Sequence, residues 1–142
     1  MNAVLQIDAT PASPDVADRI AAVDWQAVAS ALDAQGCAVI ESLLPASQCR
    51  TLAAMYSNHG NFRSRVVMGR HGFGRGEYQY FNYPLPDSVA ELRTSIYPHL
   101  QPIANRWNAA MGIDVRYPAQ HAEFVTRCHR AGQTRPTPLL LQ

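Results

Sequence analysis

Ten prolines decide where regular structure can run in this chain, because each removes a backbone donor and crowds the preceding helical turn. Pro11 and Pro14 punctuate the start, Pro45 suits a first helical turn, Pro84 and Pro86 end whatever precedes them, and Pro136 and Pro138 approach the last residues. The chain has 142 residues, the size of one domain, and its 47% apolar and 16% charged composition excludes wholesale disorder. No run of roughly 18 apolar residues occurs, and Met1 to Thr10 lacks a basic cluster leading into an apolar stretch. Neither a membrane span nor a secretory signal is indicated. Cys37, Cys49 and Cys128 are odd in number and far apart, which argues against a disulfide framework and for a reducing, cytoplasmic setting.

Between these breaks, residues 1–23 read as a loose leader and residues 24–142 as the folded part. Asp24 can cap a helix in which Trp25, Val28 and Leu32 recur at helical spacing up to Gly36, predicting Trp25 to Gln35. Cys37 to Ile40 then form a short apolar run that suits a buried strand. Behind Pro45, Cys49, Leu52, Ala53 and Tyr56 predict a second helix over about Ala46 to Ser57. Arg65 to Met68 read as a strand running into a glycine-rich turn, and Glu77 to Phe81 as its partner. Alternation along that partner puts Tyr78 and Tyr80 on one face and Glu77, Gln79 and Phe81 on the other. Val89, Leu92 and Ile96 predict a helix that Pro98 and Pro102 break or bend, with Ile103, Trp107 and Met111 resuming it as a second. Pro118 opens a last helix bearing Phe124, Val125 and Cys128, stopped by Gly132. Leu139 to Leu141 then look like a strand with no partner.

All twelve basic residues are Arg, and they are unevenly spread: net −5 over residues 1–41 and net +6 over residues 42–142. The densest stretch, Phe62 to Tyr83, packs Arg63, Arg65, Arg70, Arg75, His71 and Glu77 among glycines and aromatics. Its glycines are not followed by the helix of a dinucleotide fingerprint, nor by the Lys-Ser/Thr pair of a phosphate loop. One reading is a hairpin with solvated Arg residues; the other is a cleft wall where Arg70 or Arg75 meets a carboxylate or phosphate and Tyr78 or Tyr80 contacts a ligand. No residue is assigned a catalytic role. His121 and Glu123 spell His-x-Glu, but in a helix positions two apart diverge, and no third ligand is implied, so no metal site is assigned. His59, His71 and His99 read as loop and surface residues.

Arg65 to Met68 (RVVM), Arg70 to Phe81 (RHGFGRGEYQYF), Tyr83 to Pro86 (YPLP), Tyr97 with Pro98, Pro102 to Trp107 (PIANRW), Cys128 with His129, and Ala131 to Leu141 (AGQTRPTPLLL) resemble the N-terminal half of a bacterial family of iron(II) and 2-oxoglutarate dependent oxygenases. That family is related to prolyl hydroxylases and is sometimes described as acting on damaged, alkylated DNA. The resemblance covers about residues 24–141. It implies an α+β chain whose N-terminal helices and short strands pack on a double-stranded β-helix, or jelly roll. It also implies iron(II) and 2-oxoglutarate as cofactors of the full-length family, held by a His-x-Asp pair, a later His and an Arg. None of these maps onto this chain, so no cofactor is expected here, and the chain reads as a partial oxygenase domain, inactive alone because its catalytic half is absent.

The resemblance leaves the substrate open between protein, nucleic acid and small molecule, and makes Arg70, Arg75, Tyr78 and Tyr80 the expected substrate-binding wall. A second class of function stays open beside it: a small non-enzymatic binding module using the Arg and aromatic hairpin on an anion or single-stranded nucleic acid. Reading the coding DNA past Gln142 for a His-x-Asp distinguishes the two. An unpaired Leu139 to Leu141 strand also predicts marginal stability and self-association.

Overall fold

The computed structural model describes residues 15–142, which run α1 (Val16–Ala21), α2 (Trp25–Gln35), α3 (Ala46–Met55), β1 (Phe62–Val67), β2 (Glu77–Phe81), α4 (Asp87–Ala110), α5 (His121–Arg130) and β3 (Leu139–Leu141). α2 and β2 have the predicted bounds. In α2 the Asp24 carboxylate accepts from the Ala27 N–H at 3.0 Å, satisfying one orphan donor of the first turn. Gly36 ends the helix at φ +74°, a left-handed cap for which glycine is suited.

The expected leader is partly structured. Residues 1–14 lie outside the described residues, but Val16–Ala21 is a helix whose Val16 and Ile20 are buried against α4. Two bridges tie α2 to α4 as well. The Trp25 ring stacks on His99 with centroids 4.3 Å apart, and Asp33 accepts from Arg106 at 2.6 and 2.8 Å and from the Trp107 indole at 2.6 Å. His99 is thus a helix-packing residue, and Trp107 serves as a donor at a half-open surface.

Cys37 to Ile40 do not form the expected strand. Their backbone enters no ladder, and Val39 is 84% exposed. Apolar content alone cannot make a strand where no sheet edge lies alongside to pair its amides. The sheet is instead built from β1, β2 and β3 in that order, all antiparallel. Pairing Tyr78↔Leu141, Gln79↔Leu140 and Tyr80↔Leu139 corrects the expectation of an unpaired terminal strand. The ladder continues one residue further, with Glu77 and Gln142 exchanging bonds of 3.0 and 2.8 Å. Self-association through an unpaired strand therefore loses its premise on the β2 side.

α4 is one helix, not two, and carries both Pro98 and Pro102 inside it. Side chains spaced along one stripe tie it to the segment that follows. Tyr97 donates to Pro118 O at 2.7 Å, Gln101 and Asn105 to Tyr117 O at 2.8 and 3.0 Å, and Asn108 to Val115 O at 2.9 Å. Asn105 also accepts from the Tyr117 N–H at 2.7 Å. Residues 115–118 are thereby strapped along the helix and splint its proline region. Asn105→Ala removes both ends of this clamp and is expected to cost about 1–3 kcal/mol, read as a lowered melting temperature; an unchanged melt would mean the strap does not hold the helix. α5 begins at His121, three residues after Pro118. No helix among the described residues is long and apolar enough to cross a membrane.

Candidate functional site

β2 separates two chemical surfaces. Gln79 and Phe81 are 2% and 1% exposed, and the face they share with Glu77 is packed. Phe81 stacks on Phe62 at 4.8 Å. The Gln79 amide donates to Tyr56 O at 2.9 Å and meets His59 Nδ1 at 3.2 Å. Beside it, Glu77 accepts from the Tyr56 hydroxyl at 2.9 Å and forms an ion pair with Arg65. This network anchors α3's end and the following turn to the sheet.

The Arg65 guanidinium, and after it the Tyr56 hydroxyl, hold the Glu77 carboxyl below the usual glutamate range, while partial burial opposes them. Burial first, and the adjacent Glu77 next, push the Tyr56 phenol up. A depressed carboxyl binds fewer protons in the native than in the unfolded chain, so its stabilisation is present above about pH 4.3 and is lost as pH falls through the native value. Glu77→Gln is expected to flatten the fall in melting temperature between neutral pH and about pH 3. Asp33, depressed by its bonds from Arg106 and Trp107, and Asp15, depressed by its bonds with Glu91 and the Val16 N–H, contribute to the acid sensitivity that remains. An acid limb as steep in the variant as in the parent would contradict the assignment.

The opposite face carries Tyr78 and Tyr80, as alternation predicts. Their rings meet edge to face at 5.5 Å, with Ser64 and Val66 of β1 and Leu139 and Leu141 of β3 as cross-strand neighbours. Leu141 is 66% exposed, so this face is open on its β3 side. The Arg63 guanidinium lies 4.5 Å over the Tyr80 ring and donates to Pro136 O at 3.2 and 3.1 Å. A cavity of about 390 Å³ adjoins it, lined by Arg63, Ser64, Asn82, Tyr83, Thr134, Arg135 and Pro136. A cation over a ring beside open tyrosines can hold a planar aromatic ligand by stacking, and its guanidinium N–H groups complement an anion.

Of the four expected wall residues, the structure brings Tyr78 and Tyr80 together. Arg70, in the 3₁₀ turn Met68–His71, and Arg75 stand exposed in the glycine-rich turn, and neither makes a hydrogen bond or ion pair among the described residues. Arg63 is the guanidinium that lies against Tyr80. A register shift between Phe62 and Ser64 makes Arg63 an extra residue in β1, and such a bulge re-aims a side chain. The sequence names Arg63 in the cluster, but nothing local marks the bulge.

His121 belongs to a different cluster. Arg93 Nε donates to its Nε2 at 2.9 Å, Thr94 Oγ1 lies 3.5 Å from Nδ1, and Tyr97 packs beside it at 5.2 Å. Burial, and then the charge of Arg93, hold its imidazole below the usual histidine range. It is thus kept neutral with its Nε2 lone pair already engaged, while Glu123 is exposed on another side of α5. No group of three His, Cys, Asp or Glu side chains among the described residues is placed to hold a metal ion.

Comparison with known proteins adds to this geometry. Residues 76–142 match a family described as "Oxygenase, catalysing oxidative methylation of damaged DNA". Uncharacterized proteins from two strains of Mycobacterium tuberculosis, Oshkosh and H37Rv, are each 36% identical to the chain over 77 residues, which is 52% of this chain and 33% of theirs. The chain thus spans about a third of the length of the curated relatives it matches. No solved structure matches it. The matched region opens at Gly76, immediately before β2, and takes in the tyrosine face, α4, α5 and β3.

Proposed function

We propose that this chain is the substrate-facing part of an iron(II) and 2-oxoglutarate dependent oxygenase of the prolyl hydroxylase-like kind, acting on damaged DNA. The observation that carries the reading is the oxygenase-family match over residues 76–142, which includes Tyr78 and Tyr80 of the open face. Tyr78 and Tyr80 stack against a base, and Arg63, held over Tyr80, adds a cation to the same wall. Arg70 and Arg75, at the rim in the turn before β2, meet an anionic group of the ligand.

Support for a larger assembly comes from surfaces that stay half-covered. α2, α3 and α5 contain no buried residue, and a groove of about 750 Å³ runs between α2 and residues 38–43. A jelly-roll barrel of the enzyme would cover such faces, with the helices outside and the tyrosine face inward.

The described residues do not fit an iron centre: no three ligands converge, and His121 Nε2 is occupied by Arg93. On this reading iron(II) and 2-oxoglutarate are held by residues other than those described, and what this chain contributes is binding and orientation. Anaerobic iron titration of the chain with 2-oxoglutarate is expected to match a nonspecific control, and a stoichiometric site would overturn the division of labour. The polypeptide translated from the whole reading frame, given both cofactors and an alkylated single-stranded oligonucleotide, is expected to consume 2-oxoglutarate with loss of the alkyl group. Binding of that oligonucleotide without turnover would make the protein a binding module instead.

A further inference from the structure

α5 has two faces of opposite character. Phe124 packs on Tyr97 and Tyr117 at 5.5 and 5.7 Å, while Thr126, Arg127 and Arg130 face the other way, onto a groove of about 710 Å³ completed by Arg116, Tyr117 and Glu123. Arg127 donates to Arg116 O at 2.7 Å, and Arg116 donates to Val115 O at 3.0 Å and to Ile113 O. These acceptors are neutral carbonyls. The ion pairs Arg65–Glu77 and Arg106–Asp33 leave Arg116, Arg127 and Arg130 aside, so three guanidinium charges share the groove with the single carboxylate of Glu123 and form no ion pair with it. Stabilisation of a helix C-terminus accounts for cations at Arg127 and Arg130. It does not account for Arg116, which lies outside the helix and is drawn to the same groove.

We propose that this groove binds the phosphodiester backbone of single-stranded DNA. The proposal rests on the reading of the protein as acting on DNA, and it assigns the backbone to a surface separate from the tyrosine wall that takes the base. Three guanidiniums spread over an open groove suit successive phosphates of a polymer better than one small anion, and such contacts position a strand without reading its sequence. The remaining N–H groups of Arg116 and Arg127, and all of those of Arg130, lack a protein acceptor among the described residues and are available to phosphate oxygens.

Fluorescence anisotropy of a fluorescein-labelled single-stranded oligodeoxynucleotide, measured across a salt series, tests the assignment. The triple change Arg116→Gln, Arg127→Gln and Arg130→Gln is expected to make the slope of log affinity against log salt shallower by roughly 2, and Arg130→Gln alone by roughly 0.7, as for lost single-strand phosphate contacts. Arg127→Lys and Arg130→Lys, which keep the charge, are expected to restore most of the slope. The Arg130 side chain makes no hydrogen bond or ion pair among the described residues, so its change carries the test even where the triple variant fails to fold. An unchanged slope in Arg130→Gln and in the triple variant, or displacement by polyglutamate as effective as by unlabelled oligonucleotide, would overturn the proposal. Failure of the oxygenase reading looks different: no turnover and no preference for an alkylated base, with the arginine-dependent salt slope intact.

Discussion

Phe81→Ala is expected to destabilise the fold by about 3–5 kcal/mol, the range for removing a large aromatic from a packed site. Phe81 is 1% exposed and stacks on Phe62, and its N–H reaches Pro138 O at 3.0 Å. Loss of the ring therefore opens a cavity against Phe62 of β1. For a domain of this size the loss corresponds to a fall in melting temperature of roughly 10 °C or more. Tyr80→Ala, one position away on the open face, is expected to cost about 1 kcal/mol or less. The contrast is a direct check on the polarity of β2: comparable losses at the two positions would mean that both faces are packed. Gln79→Ala belongs with Phe81, because it strands Tyr56 O and His59 next to a buried hole, so an effect of that change on activity reports folding before it reports substrate contact.

Gly76→Ala is the second large effect. Gly76 sits at φ +124°, where an added Cβ would lie 2.9 Å from Met68 Cε and 3.0 Å from Gln142 O. Met68 can rotate away, but the carbonyl belongs to the backbone that extends the β2 and β3 ladder, and the dihedral remains unfavourable to an L side chain. Strain of that kind costs of order 1–3 kcal/mol, and the crowding adds to it. Gly72→Ala in the same turn is the control. It has φ +73° with nothing within 4 Å of the added carbon, and is expected to cost about 1–2 kcal/mol. Equal melting temperatures for the two variants would show that the turn relaxes freely and does not hold β3 in place.

What the sequence revealed was what depends on near neighbours. Asp24 and Gly36 mark both ends of α2, and alternation along Glu77 to Phe81 assigns Tyr78 and Tyr80 to one face, because caps and pleats are set within a few residues. Cys37 to Ile40 and Leu139 to Leu141 carry the same kind of apolar signal, yet one stays out of the sheet and the other pairs with β2. Which of them finds an edge depends on residues far away in the chain. α4 runs through two prolines, and Tyr97, Gln101, Asn105 and Asn108 line one stripe of it and grip residues 115–118. That polar stripe is visible in the sequence, but its acceptors are backbone carbonyls that only folding brings alongside. The candidate site divides in the same way. The tyrosine pair follows from alternation, whereas Arg63 enters through a bulge and Arg116 joins Arg127 across a loop.

The central claim, that the Tyr78 and Tyr80 face is the base-binding wall of a protein acting on damaged DNA, is tested most directly by oligonucleotide affinity. A single-stranded oligodeoxynucleotide with one alkylated base is titrated against its unmodified counterpart, using the parent chain and the Tyr78→Ala, Tyr80→Ala double variant. The account predicts tighter binding of the alkylated strand by the parent, and a loss of roughly tenfold or more in the double variant while it stays folded at the assay temperature, as expected for removed base stacking. Equal affinity for both strands, indifferent to the two tyrosines, would contradict it.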